Sequence, residues 1–408
     1  MAIGDIIVGI DIGASKISLV VGEVNNFNQI EVICNTSKKS NGIQKGKIVD
    51  GNALADSIRE VVDEAEKDMN MRINSAYITM PGSHVTIIQN SVTKEAKDKY
   101  SGISSRDVSA ALIQAKDVEI PDGKQIIDII TNDFVLENGK VTSDPVGAFS
   151  SSFTVNAQIV LADKDYINTM RMIMKKADLE IDGIIPTVLA EKSFVLDESD
   201  QKDNVMLLDI GGENTDIGIF DGGKIAYVNS IPVGGENITN DISVVLGISV
   251  EEAEKLKRQY GLALKSYIDN ETEVVLNTAK EDSNKKVMSS NIVEIIEARV
   301  EQIFELVNKD IVSQGYKQNI NTVVLTGQGI TNISKSDIVG KITLNIPVKY
   351  SSNKIANAMK PEYLTAFALV RYIVSRPYTK VVASSIDANM DGGIFKKVLE
   401  KVKDFFYS

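Results

Sequence analysis

The stretch IIVGIDIGASKISLVVGEV around Asp11 returns 198 residues later as VMLLDIGGENTDIGIFDGG around Asp209. Each copy joins a strand of buried character to a second alternating strand through an Asp-Ile-Gly turn. A further strand candidate follows each, at 29–34 and 224–230. A chain that repeats such a unit at this distance folds as two related halves. Its 408 residues leave room for both, since a single core rarely grows past roughly 250–300 residues.

Asp-x-Gly between buried strands lets backbone approach an anion closely, with the amides after the glycine turned toward phosphate oxygens. The aspartate cannot itself attract phosphate, so in such a site it holds water on a divalent cation. A plain hairpin explains one such turn equally well; two copies facing one cleft are much harder to dismiss. The segment NTVVLTGQGITNI runs a β-branched strand into a Gly-x-Gly turn at Gly327 and Gly329. Upstream, GISVEEAEKLKRQYG reads as a helix capped by Ser249, with Glu252 completing a capping box and Gly261 ending it. Glu254 and Lys257 share one face of that helix, as an ion pair on any solvated helix would.

Composition removes several function classes. A formal charge of −12 argues against nucleic acid as a partner, because phosphate contacts need clustered Lys and Arg. The single cysteine, Cys34, and the single histidine, His84, cannot build a disulfide, a thiolate metal site or a His-pair site, and both read as packing residues. That cysteine usage suits a reducing cytoplasm. No secretory signal and no run of ~18 apolar residues is expected.

The C-terminal GGIFKKVLEKVKDFFYS phases as an amphipathic helix. Ile394, Phe395, Val398, Leu399, Val402, Phe405 and Phe406 fall on one face, and Lys396, Lys397, Lys401 and Lys403 with Glu400 and Asp404 on the other. Its apolar length is about 20 Å at 1.5 Å per residue, too short for a hydrocarbon core of about 30 Å. The pattern suits a helix lying in the membrane interface or one docked on the body. Residues 377–393 read as a linker, with a proline at the start and DANMDGG at the end. A basic foot on a spacer is a sensible way to hold an acidic body near anionic headgroups, which favours the membrane. One foot would bind weakly and many on a filament tightly.

Taken together, the two Asp-x-Gly hairpins, the strand-Gly-x-Gly turn and the tail resemble the FtsA family of bacterial cell-division proteins, within the actin-like ATPases. The resemblance runs nearly the whole length, through GIDIGASK, YITMPGSHV, GISSRDVSAAL, SDPVGAFSSSFTVNAQIV, LLDIGGENTDIGIF, IPVGGENITNDIS, EEAEKLKRQYG and VVLTGQGI. It implies an α/β fold of two actin-like, ribonuclease H-like domains around a nucleotide cleft, with a small inserted subdomain, 1C, and the amphipathic helix. Subdomain 1A would span 1–83 and 162–200, 1C 84–161, 2A 201–234 and 311–376, and 2B 235–310. Within 1C the pattern predicts strands near 85–92, 125–134 and 153–160 and a helix over 105–117 capped by Ser104 or Ser105.

The resemblance also implies residue roles. Asp11, Gly13, Ser15 and Lys16 would form the first phosphate loop and Asp209, Gly211, Gly212 and Thr215 the second. Glu254 and Lys257 would reach the ribose and base edge, and Gly327 and Gly329 would border the adenosine of ATP. Mg would sit between the phosphates and Asp11 and Asp209, largely through water. The chain departs from the family pattern at Ala14, Glu213, Gln328 and Ala368, which lowers the hydrolysis expected of it; Gln328 and Ala368 are expected to add bulk near the base and its neighbouring backbone. Thr187 aligns with the water-activating position and Glu191 lies one helical turn on, so hydrolysis is expected to be slow or absent. The implied partners are the C-terminal peptide of FtsZ, further copies of this chain in a filament, lipids of the cytoplasmic membrane, and other division proteins through 1C. Arg299 on 2B is the residue assigned to FtsZ, the plain alternative being an exposed arginine paired with a nearby glutamate. A pilus-assembly or plasmid-segregation scaffold and a sugar-kinase-like phosphotransferase are the rivals.

Overall fold

The computed structural model describes residues 4–27, 29–44, 46–97, 102–276, 285–352 and 360–375. The predicted linker at 377–393 and the amphipathic tail from Ile394 onward lie outside the described residues.

The first half is a five-stranded sheet, built from β1 (Ile6–Ile12), β2 (Lys16–Val24), β3 (Ile30–Lys39), β4 (Ser75–Met80) and β8 (Glu180–Pro186) in the order β8-β4-β1-β2-β3. β1 runs antiparallel to β2 and parallel to β4. The second half repeats this plan with β9 (Val205–Ile210), β10 (Thr215–Asp221), β11 (Lys224–Ile231), β12 (Thr322–Thr326) and β13 (Val348–Tyr350), in the order β11-β10-β9-β12-β13. β9 is antiparallel to β10 and parallel to β12, so the duplication seen in the sequence extends to sheet topology. The central strands are almost wholly buried, with Ile10, Leu19 and Val20 in one half and Met206, Leu207 and Leu208 in the other. Such continuous apolar runs are what strands covered on both faces require.

Helix α1 (Gly51–Met69) covers the first sheet, capped by Asp50, whose Oδ1 accepts from the amides of Asn52 and Ala53. The last described helix, α9 (Leu364–Ser375), lies directly on β1 and β2. It can do so because Gly9 and Gly22 carry no side chain: a Cβ on Gly9 would stand 2.8 Å from Val370 Cγ2 and 2.9 Å from Ala366 O. α4 (Thr187–Val195) sits between α9 and the second sheet, and the first core accordingly includes Val205, Leu207 and Phe220 of the second half.

The inserted unit follows β4. It comprises β5 (Val85–Glu95), α2 (Ser105–Ala115), β6 (Lys124–Leu136) and β7 (Ser152–Asp163), in the sheet order β5-β7-β6 with a short edge at Val141–Thr142. Every predicted element is present, and Ser104 caps α2 in a reciprocal box with Asp107. Its own core packs Val108, Leu112, Phe134 and Phe153. At its root His84 Nδ1 lies 2.8 Å from Asp163 Oδ2, with the ring stacked on Tyr166 at 4.2 Å. Cys34 is buried in the first core, and His84 is half-buried against Tyr166 and Asp163, so both serve packing, as expected.

Candidate functional site

The two Asp-x-Gly turns face each other across a cleft of ≈ 870 Å³. Asp11, Gly13, Ser15 and Lys16 line it from the first half, and Asp209, Gly211 and Gly212 from the second. Gly327, Gly329, Glu254 and Lys257 complete its walls. The turns are built alike. Gly13 N donates to Lys16 O at 3.0 Å, and Gly211 N donates to Asn214 O at 2.9 Å. They also touch, since a Cβ on Gly212 would stand 1.9 Å from Ser15 Oγ.

Close backbone approach explains the glycines. Gly329 N donates to Ile210 O at 2.8 Å, and a Cβ at Gly329 would stand 2.1 Å from Gly211 O. Gly327 adopts φ +93°, where a side chain is disfavoured, and a Cβ there would meet Asp209 Oδ1 at 2.2 Å. A further pair, Gly234–Gly235, wedges between these turns: Gly235 N donates to Gly211 O at 2.9 Å, and its Cβ would meet Gly329 Cα at 2.5 Å. That pair has no role among those expected from the sequence, although two glycines where a strand gives way to α5 (Gly235–Leu246) are a visible signal.

Thr215 stands apart from its expected neighbours. It is fully buried, and its hydroxyl donates to Val233 O at 2.8 Å, tying β10 to the glycine pair instead of facing the cleft. Alternation along β10 puts Asp216 into the cleft lining in its stead, directly opposite Asp209 in the hairpin register. Asp216 Oδ1 accepts from Gly82 N at 2.9 Å.

The cleft floor therefore gathers four carboxyls. Thr79 Oγ1 donates to Asp11 Oδ1 at 2.8 Å. Burial pushes Asp11 up, partly countered by Thr79 and Lys16. Asp209 is pushed up to about 8, by burial first and then by the Asp216 and Asp11 carboxylates. Burial raises Asp216 to about 6 despite the Gly82 amide. Glu191, on α4, is driven well above the carboxylate range by burial and by Asp209. Lys16 is pulled down by burial, with Asp11, Glu362 and Asp209 opposing that fall. Four acids, Asp216 and Glu191 buried and Asp11 and Asp209 half-buried, against one half-buried lysine make a floor that favours a cation. Among the described residues no three Asp, Glu, His or Cys side chains converge as a direct ligand set, so a cation here would be held largely through water.

At the other end of the cleft, α6 (Val250–Gln259) is capped by Ser249 Oγ, which accepts from Glu252 N at 3.2 Å. Glu254 Oε2 accepts from Thr239 Oγ1 and Lys257 Nζ, both at 2.6 Å, and Oε1 accepts from Arg258 Nε at 3.0 Å. Lys257 Nζ also reaches Gly235 O at 3.1 Å, so the pair is anchored to the glycine turns.

Of the four departures from the family pattern, Ala14 and Glu213 line the cleft. Gln328 also lines it but is exposed, so its bulk can turn to solvent. Ala368 does not crowd the base site as expected: it is buried on α9 against Phe194. Thr187 lines the cleft, and its hydroxyl donates to Met80 O at 3.2 Å. Arg299, on α7 (Ser289–Ser313), pairs with neither Glu301 nor Glu305. It grips Asp241 of α5 in a fork, with Nε at 2.5 Å and Nη2 at 2.8 Å.

Comparison with known proteins agrees with this geometry. The family model described as "Cell division protein FtsA" matches residues 206–368, and that described as "SHS2 domain inserted in FTSA" matches residues 82–161. Cell division protein FtsA of Pseudomonas aeruginosa is 28% identical over 376 residues, covering 90% of this chain and 89% of that protein. Among solved structures, the PilM–PilN type IV pilus biogenesis complex aligns with a TM-score of 0.57 at 15% identity, covering 91% of this chain and 99% of the matched one. MreB5 of Spiroplasma citri bound to AMPPNP aligns at 0.51 with 14% identity, covering 90% and 95%. At such identities the structural matches establish a shared fold.

Proposed function

Because the chain belongs to the FtsA family of cell-division proteins, we propose that it is an actin-like ATP-binding adaptor that polymerises on the cytoplasmic face of the membrane and tethers FtsZ filaments there. The observation that carries this reading is the joining of two equivalent Asp-x-Gly turns over one cleft, with the half-buried Lys16 close enough to feel both aspartates. A sugar-kinase-like activity would have no use for the amphipathic tail.

The residues present fit a magnesium nucleotide. The cradle of Gly212, Gly235, Gly327 and Gly329 has no room for Cβ atoms. Lys16 would meet phosphate charge, Asp11, Asp209 and Asp216 would hold the hydration shell of the cation, and the Glu254–Lys257 pair would meet the ribose and base. Bound ATP would supply a phosphoanhydride whose turnover resets assembly. Ala14 lacks one hydroxyl donor, and Glu213 opposes a polyphosphate unless it turns away, so turnover is slow. Domain 1C, residues 84–161, would serve self-association and other division proteins, and Arg299 would face FtsZ.

Liposome co-sedimentation tests the reading as a whole. The full chain with Mg-ATP should pellet with anionic vesicles and bring FtsZ with it, whereas a chain ending at Asp391 should leave both in the supernatant. Equal pelleting of the two chains would refute the membrane assignment. Absence of any thermal shift with millimolar Mg-ATP would refute the cofactor.

A further inference from the structure

Glu191 holds a position that its neighbours do not explain. It is 1% exposed, yet it lines the cleft. Oε1 accepts from Thr365 Oγ1 at 2.7 Å, while Oε2 is buried with no hydrogen-bond partner among the described residues. An acid buried at this depth with an idle oxygen carries a desolvation cost that packing does not repay. The floor residues opposite, Asp11, Asp209 and Asp216, make no hydrogen bond to Oε2. What is missing is a polar hydrogen supplied from the cleft.

Resting on the nucleotide reading above, we propose that Glu191 is the positioning residue for the attacking water in ATP hydrolysis, with Oε2 accepting one hydrogen of that water and Thr365 holding the carboxyl in place. In the step, the water oxygen forms a bond to the terminal phosphorus as the bond from that phosphorus to the bridging oxygen breaks. The bridging electron pair leaves with ADP, and the displaced water proton passes to the inorganic phosphate released. Glu191 fixes the direction of approach and need not gain or lose a proton overall. Thr187 donates its hydroxyl hydrogen to Met80 O at 3.2 Å, which leaves it a single neutral oxygen as acceptor, whereas Glu191 offers a carboxyl oxygen with no other partner among the described residues. Glu191 follows Thr187 by four residues on α4, one turn along the same face, so the task moves deeper into the cleft without leaving the helix.

The test uses the full chain and its Glu191→Gln and Glu191→Ala variants. Thermal shifts are recorded with Mg-ADP and with Mg-ADP plus aluminium fluoride, which mimics the phosphoryl group in flight with its water. ATP turnover is measured alongside. All three proteins should shift alike with Mg-ADP. The extra shift from aluminium fluoride should be lost in the Ala variant and largely kept in the Gln variant, whose amide oxygen can still accept from water. Turnover should fall at least ten-fold in the Ala variant and recover to within about three-fold of the parent in the Gln variant. Equal aluminium fluoride shifts in all three proteins, or none in the parent, would overturn the proposal with nucleotide binding intact. Lack of any Mg-ADP or Mg-ATP shift in the parent would instead refute the nucleotide reading on which it rests. If the Ala variant does not fold, Thr365→Val, which removes only the anchor, should lose the aluminium fluoride increment, and its retention would count against the proposal.

Discussion

Replacing Asp209 by Asn should make the ligand-free protein increasingly more stable than its parent as pH rises. The Asp209 carboxyl moves from an ordinary 3.8 to about 8 on folding, because burial and the Asp216 and Asp11 carboxylates oppose its charge. A folded-state pKa raised above its unfolded value contributes stability that is fully present below 3.8 and is lost as pH climbs toward 8. With these two values the charge penalty is about 2 kcal/mol at pH 5.5 and about 5 kcal/mol at pH 8. Asn carries no such penalty at either pH. Its own packing cost, whatever its size, is the same at both.

The stability difference between variant and parent should therefore shift by about 3 kcal/mol in the variant's favour between pH 5.5 and pH 8. Urea denaturation without nucleotide at the two pH values measures it, since each curve extrapolates to a free energy in water. A flat or falling difference would refute the charge crowding inferred for the cleft floor. Mg-ATP should narrow the difference at pH 8. At a hundred-fold excess over Kd the parent gains about 2.7 kcal/mol, whereas the variant, short of one carboxylate for the hydrated cation, gains little.

Three further substitutions probe separate parts of the molecule. Gly329→Ala places a Cβ where the structure leaves 2.1 Å to Gly211 O, so the turn must open; the thermal shift with Mg-ATP should vanish at a stability loss of about 1–3 kcal/mol. Gly82→Ala puts a Cβ 2.4 Å from Asn229 O and displaces the amide that donates to Asp216. It should cost about 1–3 kcal/mol, read by urea denaturation, and weaken Mg-ATP binding although no nucleotide contact is removed. Arg299→Ala breaks the fork to Asp241 and should weaken binding of an FtsZ C-terminal peptide at least ten-fold by fluorescence anisotropy, with nucleotide thermal shifts unchanged; an unchanged peptide affinity would reduce Arg299 to a brace between α5 and α7.

What could be read from residue order alone was whatever depends on neighbours in the chain. Glycine at a turn, apolar alternation and a cap such as Ser104 or Ser249 act over a few residues, and the hairpins, the strands and helix within the inserted unit and the 327–329 turn all followed from them, whereas the insertion itself came from the family resemblance. What escaped depends on register or on contacts far apart in sequence. Thr215 and Asp216 are adjacent in a strand and face opposite ways, and only the pairing of Asp209 with Asp216 decides which of them meets the cleft. Gly82 reaches Asp216 across 134 positions, Thr365 reaches Glu191 across 174, and Arg299 reaches Asp241 across 58. These three bonds join different parts of the molecule: the segment that leads from β4 into the inserted unit to the second hairpin, the last described helix to α4, and α7 to α5. Two of them end on cleft carboxyls. A cation drawn into the floor therefore acts on the acceptors of those two bonds at once, one leading to the inserted unit and the other to the helix that precedes the tail. The same buried charge that destabilises the ligand-free protein is thus placed where its neutralisation bears on both of these long-range bonds.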